Sequence, residues 1–391
     1  MRIAVVGAGI GGLCAAIGLE RAGAEVTVFE RADELRPSGS GLSVFANGLA
    51  ALDTLGVGEQ FRAITSTEMS GLRGGQRTPD GRWLATIPAA ALTELRIVHR
   101  ADLHDLLVDA LRPGTLVLGA PVTTVDPAGV TSVYRDEVDR DERFDLVVAA
   151  DGIGSAVRRS WPEDPGIRYS GYSAWRGVTA RPVDLQGAAG ETWGHGLRFG
   201  VAPLRDGRVY WFAVATMDAG AEIPDEYAEV QRLFGGWHDP IPELIAATDP
   251  AAVFRLPISD LAAPLPTFRR GACVLLGDAA HAMTPDLGQG GGQAMEDAAT
   301  LAALIAPIAR DAAPDPARLD RALAEYDRVR RARTQPIARR ARALGAVAHT
   351  RSRFGVALRD LVLRLTPSSV LGRQSAAVQA WTAPVIEKAV A

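Results

Sequence analysis

The chain has 391 residues, 47% of them hydrophobic and 23% charged, and a formal net charge of −4 at pH 7. This length predicts two domains or one large interleaved α/β unit. The slightly negative charge excludes a globally basic surface for nucleic acid or an anionic membrane, and no apolar run is long enough to span a bilayer. Cys14 and Cys273 lie in apolar segments, which favours buried thiols and a cytoplasmic location over a disulfide.

The beginning of the chain predicts a βαβ unit. Residues 2–6 are apolar and predict a buried strand, followed by a glycine-rich turn and an apolar helix that ends near Ala22. Gly23 is suited to cap that helix, and residues 26–29 predict a second strand. Beyond it, the patterns predict a helix at 101–111 and strands at 115–118, 130–134 and 144–149.

After Arg158 the composition changes. Residues 169–180 and 192–215 are rich in aromatic residues and valine, with turn signals between them, and they predict an antiparallel sheet. Arg205-Asp206-Gly207 is expected at a hairpin tip. Helices are predicted at 226–237 and 242–247, a strand at 273–276, and mostly helix from Gly292 onward. Pro336 is expected to end or kink the helix that starts near Arg318.

These patterns predict an α/β fold in which a Rossmann-like domain is interrupted by an antiparallel sheet. The dinucleotide-binding domain is predicted to comprise residues 1–68, 98–168 and 270–345. Residues 69–97 and 169–269 are predicted to form the inserted substrate domain, and residues 346–391 a C-terminal helical segment.

A glycine motif joins the first strand to the first helix. It has the spacing of a dinucleotide-binding turn, in which glycine permits a tight bend and lets a pyrophosphate approach the helix N-terminus. Its residues are Gly7, Ala8, Gly9, Ile10, Gly11 and Gly12. Glu30 ends the second strand and can accept hydrogen bonds from ribose hydroxyls. Since a carboxylate there would repel a 2′-phosphate, we expect FAD or NAD, not NADP, at this site.

Two further segments deliver an aspartate from a buried strand to a loop. The first ends in Asp151-Gly152. The second runs through Gly277-Asp278 to His281 and then reads Thr-Pro-Asp-Leu-Gly-Gln-Gly-Gly-Gly from Thr284 to Gly292. The glycines of this second segment open a helix, whose N-terminus again favours an anion.

Together these three ordered motifs resemble the class A FAD-dependent monooxygenases, which have the para-hydroxybenzoate hydroxylase fold. The likeness covers residues 1 to about 340 and is strongest to the branch of urate hydroxylase, salicylate hydroxylase and zeaxanthin epoxidase. It implies noncovalent FAD, with NAD(P)H as reductant and O2 as co-substrate, and oxygen transfer through a flavin C4a-(hydro)peroxide. The expected FAD contacts beyond the first turn are Glu30, Arg31, Ser43, Arg100, Val122, Asp151, Gly152, Asp278, Pro285, Gly288, Gln289, Gly290, Gly291 and Gly292.

The resemblance places the substrate pocket on the inserted sheet. Candidate pocket residues are Trp175, Arg176, Arg198, Tyr210 and Phe212, and catalytic roles are expected for Arg198, Tyr210 and Asp286. The alternative is that the aromatic residues only form the core of the sheet. Asp286 could act as a base or as an orienting group.

The hairpin allows a sharper prediction. A three-residue loop with Gly207 at positive φ places Tyr210 opposite Ala202. Arg198 is four residues from Ala202 on the same strand, so it shares the face of Tyr210. We expect the guanidinium to bind an anionic or carbonyl-bearing ring that Tyr210 orients.

The expected reaction is hydroxylation of a small aromatic or N-heteroaromatic compound. Epoxidation, Baeyer–Villiger oxidation and dehydrogenation stay open, as does a non-catalytic flavin-bound ligand-binding protein. The histidines have no metal-ligand spacing, so no metal is expected. His281 is interpreted as a hydrogen-bonded loop residue, with polarisation of the flavin side of the pocket as the alternative. The arginines of residues 328–342 are interpreted as a solvated helix face paired with acids, with attraction of NAD(P)H phosphates as the alternative.

Overall fold

The computed structural model describes residues 1–35, 40–135, 138–311, 314–382 and 384. The strands in these residues are β1 Arg2–Val6, β2 Glu25–Phe29, β3 Gly41–Val44, β4 Gly74–Arg77, β5 Trp83–Ile87, β6 Arg96–His99, β7 Leu116–Val117, β8 Val122–Val125, β9 Val130–Arg135, β10 Val138–Arg143, β11 Leu146–Ala149, β12 Ile167–Val178, β13 Gly190–Trp193, β14 Leu197–Pro203, β15 Val209–Thr216, β16 Phe254–Leu261, β17 Arg269–Arg270 and β18 Cys273–Leu275.

The α-helices of the same residues are α1 Ile10–Ala22, α2 Ala46–Leu55, α3 Gly58–Ile64, α4 Arg100–Asp109, α5 Ala156–Arg159, α6 Glu226–Phe234, α7 Ile241–Ala246, α8 Asp278–His281, α9 Gly290–Ile305, α10 Pro316–Ala348, α11 Arg353–Leu365 and α12 Ser368–Gln379. Short 3-10 turns lie at Glu68–Gly71, Ala89–Ala91, Pro250–Ala252 and Pro285–Leu287. In this part of the chain, no helix has the length and apolarity to cross a bilayer.

One sheet forms the dinucleotide-binding core, in the order β17-β18-β11-β1-β2-β7. All its pairs are parallel except β17 with β18. The strands are apolar because they belong to one buried core, which also includes residues of α1, of α9 and Val133 of β9. Helix α1 ends at Gly23, whose φ of 101° permits the closing bonds from the cap to Glu20 and Leu19. The predicted βαβ opening and the cap at Gly23 are confirmed.

A second sheet has the order β16-β12-β15-β14-β13-β4-β5 and is antiparallel except for the pair β13 with β4. Its strands come from residues 74–87 and 167–261, within the segments predicted for the inserted domain except that β12 begins at Ile167. The α/β fold class is confirmed. The division into domains at the predicted boundaries stays a prediction, and residues 383 and 385–391 of its C-terminal segment lie outside the described residues.

The hairpin between β14 and β15 has the predicted three-residue loop. Leu204 and Arg208 close it through a 2.8 Å backbone bond, and Gly207 has a φ of 79°. Ala202 pairs with Tyr210, and Arg198 pairs with Val214. Because side chains alternate along a strand, Arg198 and Tyr210 share one face of the sheet.

Helix α10 continues through Pro336, so the predicted end at that residue is wrong, and the alternative of a kink stays a prediction. Proline removes one backbone donor, but the helix has buried residues on both sides of it, including Thr334, Ile337 and Ala341. Packing on both sides therefore keeps the chain helical across the proline.

Candidate active site

The first glycine turn is built as its sequence predicts. Gly7 has a φ of 100°, and a Cβ at Gly12 would lie 2.0 Å from the carbonyl oxygen of Gly7, so a side chain at Gly12 is excluded. Gly9 faces open space and caps α1 without a side-chain hydrogen bond. The turn therefore presents free backbone N–H groups at a helix N-terminus, which is an anion-binding arrangement.

Glu30 stabilises this turn through a hydrogen bond from its backbone. Its carboxylate accepts hydrogen bonds from the backbone N–H of Ala8 at 2.8 Å and of Ala32 at 3.0 Å. The backbone of Ala120 binds the carbonyl of Glu30, which brings the chain leading to Val122 against the same corner. Arg31 is exposed beside it. Glu30 thus orders the corner where the ribose is expected and keeps further lone pairs for ligand hydroxyls.

Asp151 and Gly152 follow β11 and lie beside the first turn. A Cβ on Gly7 would meet the carbonyl oxygen of Ala150 at 2.7 Å. One Asp151 oxygen accepts from the N–H of Ala156, the first residue of α5, at 2.8 Å, whereas the other is buried and has no partner in the described residues. Such an acceptor is expected to bind a ligand or water.

The third segment places a carboxylate and a second helix N-terminus together. Asp278 is exposed between buried neighbours and makes no hydrogen bond in the described part of the chain. Pro285 begins a short turn that ends at Gly288, with a φ of 63°. Helix α9 then starts at Gly290 without a side-chain cap, because Gln289 turns inward to accept from Asn47 at 3.0 Å. Gly290 faces open space, and Gly291 lies against Leu42, next to Ser43 on β3.

A buried polar network holds this segment in place. Asp297 accepts from the backbone N–H of Gly277 at 2.9 Å and from Nε of Arg330 at 2.5 Å, and it lies 2.6 Å from Nε2 of His281. Burial alone would raise the pKa of Asp297, but His281 and Arg330 outweigh it and the pKa is lowered. His281 is hydrogen-bonded, as interpreted, but it lies at the end of helix α8 and not in a loop.

The arginine run of α10 divides into two kinds of residue. Arg328 is exposed and pairs with Glu325, as predicted for a solvated helix face. Arg330 is instead completely buried between Glu296 and Asp297. The solvated-face prediction is therefore wrong for Arg330, because two carboxylates of α9 compensate its charge in the interior.

Pairing registers fix which sheet residues face the dinucleotide-binding domain. Tyr172, Arg176, Arg198, Tyr210 and Phe212 share one face. This is the face toward the first domain, because a Cβ on Gly41 of β3 would lie 2.4 Å from the Tyr210 ring. The structure therefore places four of the five predicted pocket residues on this face.

Trp175 is the exception, and its predicted place in the substrate pocket is wrong. It is fully buried on the opposite face, where its Nε1 donates to Glu226 of α6 at 2.6 Å. Trp175 and Arg176 are consecutive in one strand, so they cannot both point toward the same pocket.

A buried ion network joins the sheet to the Asp286 loop. Arg198 donates to Asp286, and its Nε and second terminal nitrogen donate to Glu191 at 2.9 and 2.7 Å. Tyr172 donates to the other oxygen of Asp286 at 2.6 Å. Burial alone would raise the pKa of Asp286, but Arg198 and the hydrogen bonds outweigh it and the pKa is lowered. Asp286 is thus suited to orient its neighbours and is a weak base near neutral pH.

His349 closes this network from the end of α10. Its ring stacks on Tyr172 with centroids 3.8 Å apart, and its Nε2 lies 3.4 Å from Arg198. Burial, with the nearby Arg198 charge, lowers the pKa of His349 to about 3. The histidine is therefore neutral at physiological pH.

Arg176 and Tyr210 have fewer hydrogen-bond partners than Arg198 and Asp286. Arg176 donates to the Tyr210 hydroxyl at 2.9 Å, and its buried Nε has no partner in the described residues. Burial raises the pKa of Tyr210, so the phenol is protonated. Arg100 is close enough to interact electrostatically with Arg176 and Asp278. Its burial, and the repulsion from the positive charge of Arg176, lower the pKa of Arg100. This corner therefore has guanidinium donors and a phenol available to a ligand.

Three residues of the site were not predicted. Glu191, Tyr172 and His349 surround Arg198 and Asp286. Period-two counting from Arg176 would have found Tyr172, four residues earlier on the same strand. Glu191 and His349 reach the site through strand order and helix docking, which no local pattern specifies.

The site fits FAD. Two uncapped helix N-termini with open glycines can bind the pyrophosphate and the flavin ring edge, and Asp278 and Asp151 have free oxygens for hydroxyls.

Comparison with known proteins gives the same class. The family described as "FAD binding domain" matches residues 1–341, and the chain belongs to that family. It is similar to the aurachin C monooxygenase/isomerase of Stigmatella aurantiaca, with 36% identity over 375 residues, covering 94% of this chain and 95% of that protein. It is also similar to the FAD-dependent urate hydroxylase of Klebsiella pneumoniae, with 35% identity over 365 residues, covering 89% and 91%.

A solved structure agrees along nearly the whole chain. The structure of Klebsiella pneumoniae HpxO with FAD and uric acid matches with a TM-score of 0.84 and 29% identity, covering 97% of this chain and 96% of that chain. The chain is thus an FAD-dependent monooxygenase of class A. The predicted fold, flavin cofactor and enzyme class are confirmed.

Proposed function

We propose that this monooxygenase uses NAD(P)H and O2 to hydroxylate a small aromatic or N-heteroaromatic compound. The observation that supports this most directly is the sheet face that carries Arg176, Tyr210 and Phe212. It offers a guanidinium, a phenol and an aromatic ring. Tyr210 lies against Gly41 of β3, whose neighbour Leu42 lies against Gly291 at the start of α9. A planar ring with a carbonyl or anionic oxygen matches these groups.

Arg176 is the better candidate than Arg198 to meet the substrate oxygen. Arg198 is expected from the sequence to bind the substrate ring, but its charge is already balanced by Glu191 and Asp286. Arg176 has no carboxylate partner in the described residues and a buried Nε free to donate. We therefore assign Arg198 to positioning Asp286, and Arg176 with Tyr210 to substrate orientation.

Bound FAD supplies the redox and oxygen chemistry. The remaining task of the chain is to hold FAD at the residues predicted for it, orient the substrate and exclude water. The uncapped N-terminus of α9 would lie at the flavin edge and would stabilise negative charge there. The neutral Tyr210 hydroxyl forms a hydrogen bond with one substrate atom. Asp286, whose charge is balanced by Arg198, holds Arg198 and Tyr172 in position through its hydrogen bonds.

Asp278→Ala tests the FAD assignment. Loss of a charged hydrogen bond is worth about 1.5–3 kcal/mol, so FAD should bind roughly 10- to 150-fold more weakly. Flavin titration of the apoprotein measures this. Glu325→Ala, at a solvent-accessible position of α10, is the control. Equal FAD affinity in Asp278→Ala and wild type would reject the assignment.

The function is tested by anaerobic flavin reduction with NADH and with NADPH. Urate, 3-amino-4-hydroxybenzoate and 4(1H)-quinolones form the first panel of aromatic ligands, chosen from the names of similar enzymes. A substrate should accelerate reduction and, in air labelled with ¹⁸O2, yield a product that carries one labelled oxygen. Flavin that neither nucleotide reduces, with or without any ligand of the classes proposed, would contradict the proposal.

A further inference from the structure

Helix α11 has an apolar stripe on its solvent side. Of the eleven large hydrophobic residues exposed in the described chain, five lie on this one helix. They are Phe354, Leu358, Leu361, Val362 and Leu365, with exposed fractions of 80%, 51%, 52%, 55% and 72%. Their spacing of four, three, one and three residues places them on a single helix face. Isolated surface apolar residues need no explanation, but a contiguous stripe marks an interaction surface.

The opposite side of α11 is already packed on the protein. Val356 is buried there, and Arg359 donates to the carbonyl oxygens of Gly194 and Ala348 at 3.1 and 3.2 Å. Ser352 caps the helix by accepting from the N–H of Gly355 at 3.0 Å. The helix is therefore fixed in orientation, and no described element covers its apolar stripe.

Positive charge accompanies the stripe. Arg353 and Arg364 are eleven residues apart, or about three turns, so they lie along one edge of the helix. Both are exposed and make no ion pair in the described residues, whereas Arg359 is paired with Asp360. The chain as a whole has a net charge of −4. The local excess of arginine beside an apolar face therefore departs from the overall charge.

We propose that α11 docks on an anionic lipid surface, with its apolar stripe at the boundary between headgroups and acyl chains. Arg353 and Arg364 then contact lipid phosphates. Apolar burial and attraction to anionic headgroups are the two terms that bind amphipathic helices at an interface. A second copy of the chain is a poorer partner, because it would bring the same positive charge to the contact. An anionic surface complements both features of the helix.

Vesicle sedimentation of the FAD-loaded full chain tests this proposal. Vesicles of phosphatidylcholine with phosphatidylglycerol should carry the protein down, and vesicles of phosphatidylcholine alone should carry much less. The double variant Leu361→Gln/Leu365→Gln should lower the partition coefficient at least tenfold. Arg353→Gln/Arg364→Gln should reduce the preference for the anionic vesicles about fivefold per arginine. Leu256→Gln, at an exposed apolar residue of β16, is the control and should bind like wild type.

Circular dichroism and flavin content establish that each variant is folded. Absence of wild-type binding to the anionic vesicles at low salt would overturn the proposal. Sedimentation velocity provides the other decisive result. A wild-type dimer that Leu361→Gln/Leu365→Gln converts to a monomer, without vesicle binding by either, would show that a second copy covers the stripe.

Discussion

The two faces of the seven-stranded sheet use the same strands for different purposes. One face buries Trp175, Phe199 and Trp211 beneath α6 and α7 in a continuous apolar core. The other carries Arg176, Arg198 and Tyr210 toward the dinucleotide-binding domain. Neighbouring residues of one strand therefore contribute to stability or to the site, depending on a one-residue difference in position. Residue type alone therefore does not identify a pocket residue on these strands.

The largest expected effect is on the apolar face. Trp175→Ala removes a fully buried indole and should lower the free energy of unfolding by about 3–5 kcal/mol. Urea unfolding measures the loss. Arg176→Met, the next residue in the strand, should cost much less because its side chain is only partly buried. A larger loss in Arg176→Met than in Trp175→Ala would reverse the assignment of the faces.

The ion network on the polar face should have the next largest effect. Glu191→Gln weakens two hydrogen bonds from the buried Arg198 and should destabilise the protein by about 1.5–3 kcal/mol. Glu243→Gln is the matched control, since Glu243 pairs with Arg181 at an exposed position and should cost less than about 1 kcal/mol. Equal losses in the two variants, by chemical denaturation, would mean that the Arg198 network is not a stabilising element.

A pH-dependent effect, smaller per pH unit than the losses above, is expected at His349. Its pKa is lowered to about 3 in the folded chain, so the unfolded chain binds the proton more readily. Stability is therefore lost as the pH falls from about 6.5 toward 3, by at most about 1.4 kcal/mol per pH unit from this residue. His349→Phe keeps a ring against Tyr172 and should flatten the decline between pH 6.5 and 4.5. An unchanged slope of unfolding free energy against pH would show that His349 does not titrate in this way.

Much of this arrangement could be predicted because it is local in sequence. The glycine turns, the strand-end carboxylates and the Gly207 loop follow from backbone conformation, and the loop alone sets the register of Arg198 and Tyr210. The same alternation excludes Trp175 from the pocket, although its residue type suits a pocket wall.

The rest depends on tertiary packing. Glu191 reaches Arg198 from the adjacent strand β13, and His349 reaches it from the end of a long helix. The sequence pattern around Arg330 predicts a surface charge, because its buried partners Glu296 and Asp297 are more than 30 residues away in the chain. Local patterns do not specify which remote carboxylate compensates a buried guanidinium.

The most direct test of the account compares two consecutive residues of β15. Tyr210→Phe removes a hydroxyl from the polar face, and Trp211→Phe shortens a ring on the apolar face. With a substrate identified, the ratio of hydroxylated product to NAD(P)H consumed should fall in Tyr210→Phe by up to about tenfold, the worth of about one hydrogen bond. In Trp211→Phe this ratio should stay at the wild-type value while the free energy of unfolding falls. Full coupling in Tyr210→Phe, or an equal loss of coupling in both variants, would contradict the claim that the polar face orients the substrate.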